Sequence, residues 1–320
     1  MRRCPDNPIL TRADIPALNP QLTDVTSVFN PGAIRHGDEY ILMLRVQDRG
    51  RETHLMAARS RDGIKFAVDR QEVRLEGIEM LDPVPHHIYD PRITFLEGAY
   101  YIMVAMDRAV DCVLGLIRTR DFQRFEFLGI CSEPHFRNGV LFPEKIGGKY
   151  LRLERPSRAD NAGVRSGDTI WLAESDDLLA WRSLGPVISG RPHYWDELIG
   201  SGTPPVRTRA GWLHLYHGIA THFASVNIYQ AGAVLLDLND PSRVIARSRM
   251  NILEPREPYE LVGQVPNVVF PSGLVVDEFD AQGFALPNSR VLAYYGAADT
   301  CIGLATATIS ELIDACQEDR

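Results

Sequence analysis

A short turn motif recurs along this 320-residue chain at intervals of roughly 60 residues. It reads Ala58-Arg59-Ser60-Arg61-Asp62-Gly63-Ile64-Lys65-Phe66, then Arg118-Thr119-Arg120-Asp121-Phe122-Gln123-Arg124-Phe125, then Glu174-Ser175-Asp176-Asp177-Leu178-Leu179-Ala180-Trp181, with a looser copy at Asp240-Pro241-Ser242. That period over this length allows about five units. Between the motifs the apolar segments are short and rich in β-branched and aromatic residues, as in Tyr40-Ile41-Leu42-Met43-Leu44, Tyr100-Tyr101-Ile102-Met103-Val104 and Trp212-Leu213-His214-Leu215-Tyr216. Each follows a turn (Gly37-Asp38, Glu97-Gly98, Ala210-Gly211), the signature of antiparallel hairpins. Repeats of about four strands that must protect their edges close into a β-propeller. The chain therefore reads as all-β and, with no low-complexity linker, as one domain over residues 1–320. One helix is expected, at the end: Ile309, Leu312, Ile313 and Cys316 share a face, with Thr308 or Ser310 available as a cap.

The formal net charge of −8, without a Lys/Arg-rich run, excludes a nucleic-acid or anionic-membrane footprint but not a small anion held in a focused pocket. The five cysteines (Cys4, Cys112, Cys131, Cys301, Cys316) are scattered without disulfide or metal spacing and read as reduced thiols, which favours the cytoplasm. Met1-Arg2-Arg3-Cys4-Pro5-Asp6-Asn7-Pro8 lacks an apolar core segment, and no later run approaches a membrane span; a soluble, unprocessed chain is expected.

Arginines stand beside apolar strands in Arg137-Asn138-Gly139-Val140-Leu141-Phe142-Pro143-Glu144-Lys145-Ile146 and in Arg152-Leu153-Glu154-Arg155-Pro156. A guanidinium matches phosphate or carboxylate oxygens in pairs, so neighbouring arginines can form an oxyanion pocket; the competing reading is an internal salt bridge to Glu144 or Glu154. In Tyr89-Asp90-Pro91-Arg92, the proline is expected to hold Asp90 extended, its carboxylate aimed into a pocket; the competing reading is an ordinary Asp-Pro turn. Asn30 (in Phe29-Asn30-Pro31-Gly32), Arg45, His217 (in Tyr216-His217-Gly218) and Asp299 (in Ala298-Asp299-Thr300) each sit where a strand enters a loop and suit sugar hydroxyls; a lone strand-end histidine is otherwise structural. The adjacent His86 and His87 point to opposite faces and have no partner at ligand spacing, so no metal site is expected. Neither a phosphate-cradling glycine loop nor a Gly-x-Ser-x-Gly elbow occurs.

Taken in order, Asn7-Pro8-Ile9-Leu10, Phe29-Asn30-Pro31-Gly32, Tyr89-Asp90-Pro91-Arg92, the Arg137 segment, Gly200-Ser201-Gly202-Thr203-Pro204-Pro205, Gly211-Trp212-Leu213, Tyr216-His217-Gly218, Val265-Pro266-Asn267-Val268, Phe270-Pro271 and Tyr294-Tyr295-Gly296-Ala297-Ala298-Asp299-Thr300 resemble glycoside hydrolase family 130, the β-mannoside phosphorylases and related β-mannosidases. The resemblance implies a five-bladed β-propeller. It implies that Asp90 is the general acid, its proton passing through the 3-hydroxyl of the bound mannose. It implies that Arg137, Asn138 and Arg155 bind inorganic phosphate, and that Asn30, Arg45, His217 and Asp299 line the mannose and phosphate sites. Phosphate, the co-substrate in a reaction without metal or organic cofactor, would attack the anomeric carbon with inversion and release α-mannose 1-phosphate.

One departure stands out. Many phosphorylases of the family carry a lysine before the Ile-Gly-x-Gly motif, where this chain has Leu198; loss of a cation would weaken phosphate binding by roughly 1–3 kcal/mol. Arg158, Arg165, Arg191 or Arg207 could offset it, and the stretch 157–168, on which the acceptor subsite depends, also differs. The leading expectation is a phosphorylase of a short manno-oligosaccharide, mannosyl-glucose or mannosyl-N-acetylglucosamine, with β-1,2 and β-1,4 linkage both open. The alternatives are a β-mannosidase with Glu197, Asp196 or Glu144 as base, and a non-catalytic sugar-binding propeller. Exposed edges and the terminal helix offer a route to a dimer or hexamer.

Overall fold

The computed structural model describes residues 1–109, 111–157, 167–221 and 226–317. Five sheets, antiparallel except for one short parallel pairing at the outside of the second, follow one another as the blades of a propeller. Blade 1 comprises Ser27–His36, Glu39–Gln47, Thr53–Ser60 and Ala67–Glu72, and blade 2 comprises His87–Leu96, Ala99–Asp107, Cys112–Thr119 and Phe125–Ile130 with Leu75–Glu76 added outside. Blade 3 is Phe136–Leu141, Tyr150–Pro156, Thr169–Ser175 and Trp181–Ser189. Blade 4 is Leu198–Ser201, Gly211–Ala220, Ile228–Leu236 and Val244–Arg247, with Val206–Thr208 also pairing on Gly211–Ala220. Blade 5 is Val269–Val276, Arg290–Ala297 and Cys301–Thr308, completed by Arg2–Arg3 in register Arg2 to Thr306, so the chain's first strand closes the ring.

The period of two along each second strand explains the ring. Ile41 and Met43 pack toward Ile102 and Val104 of blade 2, while Leu42 and Leu44 pack toward Leu292 and Tyr294 of blade 5. Leu213 and Leu215 meet Val291 and Ala293, whereas Trp212 and Tyr216 meet Leu153 and Leu172. Both faces of every blade are thus buried against a neighbour, and the core is a set of inter-blade layers.

The recurring motif forms the hairpin between a blade's third and fourth strands. Asp62 Oδ1 accepts the N–H groups of Ile64 and Lys65 (2.8 Å each), Asp121 Oδ1 those of Gln123 and Arg124 (2.9 and 3.0 Å), and Asp177 Oδ1 those of Leu179 and Ala180 (2.9 and 2.8 Å). These donors hold all three carboxyls below their usual range. In blade 4 the matching role falls to Asp237, which accepts from Asn239 and Asp240, so the looser copy was placed three residues late.

The terminal helix spans Ile309–Gln317 and begins with a reciprocal cap: Thr308 Oγ1 accepts from Glu311 N (3.2 Å) and Glu311 Oε2 from Thr308 N (2.8 Å). Ile309, Leu312 and Cys316 are buried between blades 4 and 5, so its apolar face is occupied within the chain. A one-turn helix at Pro258–Leu261 was not foreseen. All five cysteines are free and buried. Among the described residues no helix is long and apolar enough to cross a membrane.

Candidate active site

Three blades present the same local device on their first strand. The pairing register shifts between Phe29 and Gly32, between Tyr89 and Arg92, and between Arg137 and Val140. Within each bulge one residue takes a positive φ: Asn30 (46°), Asp90 (53°) and Asn138 (52°). Asn and Asp tolerate this left-handed backbone better than other side chains, and a bulge re-aims the residue it contains. Asp90 is therefore not extended as its proline suggested; the bulge overrides the preference of a pre-proline residue. Glycines open the space around two of these side chains. A Cβ on Gly296 would collide with Asn30 Oδ1, and one on Gly200 would reach within 2.9 Å of Asn138 Oδ1.

All eight site residues expected from the sequence (Asn30, Arg45, Asp90, Arg137, Asn138, Arg155, His217, Asp299) line one pocket of about 300 Å³, joined by Tyr89, Asp107, Tyr229 and Phe270. The last four were missed. Tyr89 and Phe270 lay inside quoted motifs, but an aromatic residue in a strand reads first as core.

Asp90 Oδ1 accepts hydrogen bonds from Arg45 Nη1 (2.9 Å) and Asn30 Nδ2 (3.0 Å). Arg45 is sandwiched between the rings of Phe29 (4.3 Å) and Tyr89 (4.6 Å), which fixes its plane. Burial alone would raise the Asp90 pKa, but Arg45, Arg92 and the hydrogen bonds outweigh it and hold the carboxyl below its usual range. Arg92 lies buried beneath: Nη1 donates to the Asp90 and Pro91 carbonyls (3.0 and 3.2 Å) and Nε to the Gly202 carbonyl. Burial pulls its guanidinium down to about 10. Asp299, with φ of 50°, faces the same cluster; burial pushes its carboxyl up to about 6, with Arg45 opposing and Asp90 adding to the rise.

Arg137 and Arg155 are paired residues on adjacent strands of blade 3. Arg137 Nη2 reaches Asp107 Oδ1 at 3.4 Å, and the same oxygen accepts from the Tyr89 hydroxyl at 2.7 Å. Burial, with the charge of Arg137, lowers the Arg155 pKa. The internal salt bridge belongs instead to Arg152, buried with Glu154 (Nε to Oε2, 2.7 Å) and stacked 4.2 Å from the centre of Trp181. His217 is buried 4.4 Å from the centre of Phe270 and held neutral, its pKa driven well down by burial and by Arg155 and Arg92. Both its ring nitrogens, Asn30 Oδ1, Asn138 Oδ1 and the Nε of Arg45, Arg137 and Arg155 are buried without a hydrogen-bond partner. Buried polar atoms are otherwise almost always paired, so this concentration marks a site shaped for polar ligands.

Other residues weighed from the sequence lie elsewhere. Leu198 pairs with Ile219 and does not line the pocket. Arg191 is bound by Asp196 (2.8 and 2.7 Å) and Arg207 by Glu144 (3.2 Å), while Arg158 and Arg165 lie outside the described residues, as does most of the stretch 157–168. Of the three candidate bases, Asp196 is buried among Arg191, Arg247 and Tyr216, Glu144 is taken by Arg207, and Glu197 accepts from the Thr221 hydroxyl. None of the three lines the pocket. Asp48, Glu52 and His54 bring possible metal-ligand atoms within 4.8 Å of one another, away from the pocket; His54 Nδ1 contacts Glu72 at 2.9 Å.

The family model described as β-1,4-mannooligosaccharide phosphorylase, glycoside hydrolase family 130, matches residues 1–318. The chain is 32% identical over 316 residues to a β-1,4-mannooligosaccharide phosphorylase of Ruminococcus albus, covering 96% of this chain and 88% of that one. It is 34% identical over 321 residues to a 1,2-β-oligomannan phosphorylase of a Thermoanaerobacter species, covering 94% and 97%. Its fold superposes with a TM-score of 0.83 on the β-1,2-mannobiose phosphorylase of Listeria innocua in complex with β-1,2-mannobiose, at 26% identity and covering 99% of both chains. A propeller whose site residues converge as the motifs require, matched from end to end by these relatives, belongs to glycoside hydrolase family 130.

Proposed function

We propose that this protein is an inverting β-mannoside phosphorylase that cleaves short β-linked manno-oligosaccharides with inorganic phosphate and releases α-mannose 1-phosphate. The observation that carries the reading is the facing pair Arg137 and Arg155, in one pocket with Asn138 and neutral His217 and with an acid cluster built on Asp90. The relatives compared above are named as phosphorylases of β-mannosides, which supports the same reaction class.

Asp90 is the general acid. Its proton passes to the mannose 3-hydroxyl, which gives its own to the glycosidic oxygen as the bond from that oxygen to the anomeric carbon breaks. A phosphate oxygen forms the new bond from the opposite face. Arg45 and Asn30 place the Asp90 carboxyl, and an arriving phosphate dianion offsets the arginine charge that holds its pKa down in the free protein. Phosphate is already nucleophilic and needs positioning, which two guanidiniums, the Asn138 amide and His217 provide. An inverting hydrolase would need a second carboxylate to activate water. The three candidates for that role are absent from the pocket lining. Of the other carboxylates that line it, Asp107 is engaged by Tyr89 and Arg137, and Asp299 faces the Arg45–Asp90 cluster on the acid's side, while His217 is too weak a base to replace them. On this reading phosphate is the co-substrate and the residues named here suffice without a metal or organic cofactor; the five free, buried thiols support a reducing compartment such as the cytoplasm.

The test is product analysis on β-1,2- and β-1,4-mannobiose, mannosyl-glucose and mannosyl-N-acetylglucosamine, with and without phosphate. α-Mannose 1-phosphate formed only with phosphate is the expected result and identifies the linkage. Free mannose released at the same rate without phosphate would establish hydrolysis instead.

A further inference from the structure

A second cavity abuts the sugar pocket. This cleft of about 710 Å³ shares Asp107, Arg137 and Arg155 with the pocket, but none of Asp90, Asn30, Arg45 or Asp299. The two cavities therefore meet at the arginines and away from the acid. An inverting displacement puts nucleophile and leaving sugar on opposite faces of the anomeric carbon. A cleft that reaches the arginines but not the acid opens on the nucleophile's side.

The chemistry of its walls agrees. His87, Arg108, His135 and Ser157 line it, and Ser157 Oγ and His87 Nδ1 are buried without partners, like the Nε atoms of Arg137 and Arg155. Arg108 is locked to Asp111 by two hydrogen bonds (2.7 and 2.6 Å), so that pair is close to neutral. At the junction, the Asp107 carboxylate is engaged by Tyr89 and Arg137, which blunts its repulsion of an anion. The pull on a small anion comes from Arg137 and Arg155 at the inner end, and focused fields of this kind concentrate counter-ions along a low-dielectric cleft.

We propose that this cleft is a port for inorganic phosphate, separate from the opening used by the mannoside. The inference rests on the phosphorylase reading. Phosphate reaches Arg137 and Arg155, and leaves them, while a mannoside fills the sugar pocket, so the two substrates bind in either order. Ser157, His87 and His135 offer hydrogen bonds along the way.

The experiment follows the exchange of inorganic phosphate by ³¹P line broadening on Asp90→Asn, whose turnover is expected to be slow enough for a mannoside to stay bound during the measurement, with and without saturating mannobiose. Exchange is expected to persist with the sugar bound, within about 2-fold of its rate without sugar, and to slow at least about 10-fold when Ala109→Trp at the exposed rim narrows the cleft. A parallel His135→Phe variant is expected to slow exchange in the same direction. Exchange abolished by mannobiose, or unaffected by Ala109→Trp, would overturn the port and leave phosphorolysis standing. A raised KM for the released sugar in the reverse reaction, with phosphate exchange unchanged, would also overturn it by assigning the cleft to the leaving group. No phosphate binding by the wild-type protein, with or without sugar, would remove the phosphorylase reading and the port with it.

Discussion

Arg137 and Arg155 face each other directly across two antiparallel strands of blade 3. Like charges in that register destabilise a sheet, on the scale of 0.2–1 kcal/mol for a cross-strand pair. The contact of Arg137 with Asp107 is long, at 3.4 Å, and Arg155 is drawn down in pKa by burial and by its neighbour. On the proposed reading this strain belongs to the free protein and would be relieved by a phosphate joining the pair.

Arg155→Met should accordingly keep or slightly raise stability in phosphate-free buffer, by up to about 1 kcal/mol. It should weaken phosphate binding roughly 10- to 100-fold, the equivalent of one or two charge-assisted hydrogen bonds. Calorimetric titration with phosphate and thermal unfolding read both quantities, and an unchanged affinity would contradict the proposed role.

Asp90→Asn should lower kcat by about 10²- to 10⁴-fold while leaving the melting temperature and phosphate affinity near those of the wild type. An aryl mannoside with an acidic leaving group needs less protonation and should recover much of the loss. Unaltered turnover by the variant would remove Asp90 from the chemistry; a wild-type protein that binds mannosides without turnover would indicate a sugar-binding propeller.

Asp299 supplies a pH signature. Its folded pKa of about 6 lies above the ordinary carboxyl value, so between roughly pH 4 and 6 the folded state holds a proton that the unfolded chain has lost. Stability from this group is therefore fullest below pH 4 and declines as the pH rises toward 6. Asp299→Asn escapes the decline, and its stability relative to wild type should increase by roughly 1–3 kcal/mol between pH 4 and pH 7. Urea unfolding at the two pH values gives the difference, and a gap independent of pH would rule out the raised pKa.

Arg92 supports the backbone under Asp90 by donating to three carbonyls. Arg92→Ala would leave them buried and unpaired, at an expected cost of about 3–5 kcal/mol. Arg92→Lys should recover only part of this, because an ammonium cannot reproduce the guanidinium fork. Chemical denaturation of both variants checks the order.

Much of the site was legible because its side chains sit in local patterns. Asn30 and Asp90 each precede a proline on a first strand, Asn138 follows Arg137, and Asp299 sits in the small-residue turn after the strand Arg290–Ala297. His217, read as a strand-end residue, lies instead within the strand Gly211–Ala220, paired with Gly200 and Ala231. Tyr89, Asp107, Tyr229 and Phe270 escaped notice because strand aromatics and a strand-end carboxylate look like packing or turn residues until a pocket is seen between them.

Sequence alone determined the architecture: alternation with period two, hairpin turns and the recurring Ser/Thr-x-Asp motif are short-range properties that repeat blade by blade. Tertiary structure decided which charged groups face the pocket. Arg152, Arg191 and Arg207 look no different in sequence from Arg137 and Arg155, yet Glu154, Asp196 and Glu144 engage them. It also decided that Asp90 adopts a left-handed backbone, because the bulge is set by pairing with the next strand and supported by a buried guanidinium. Pairing partners and backbone strain depend on contacts between distant segments, and only ring closure brings those segments together.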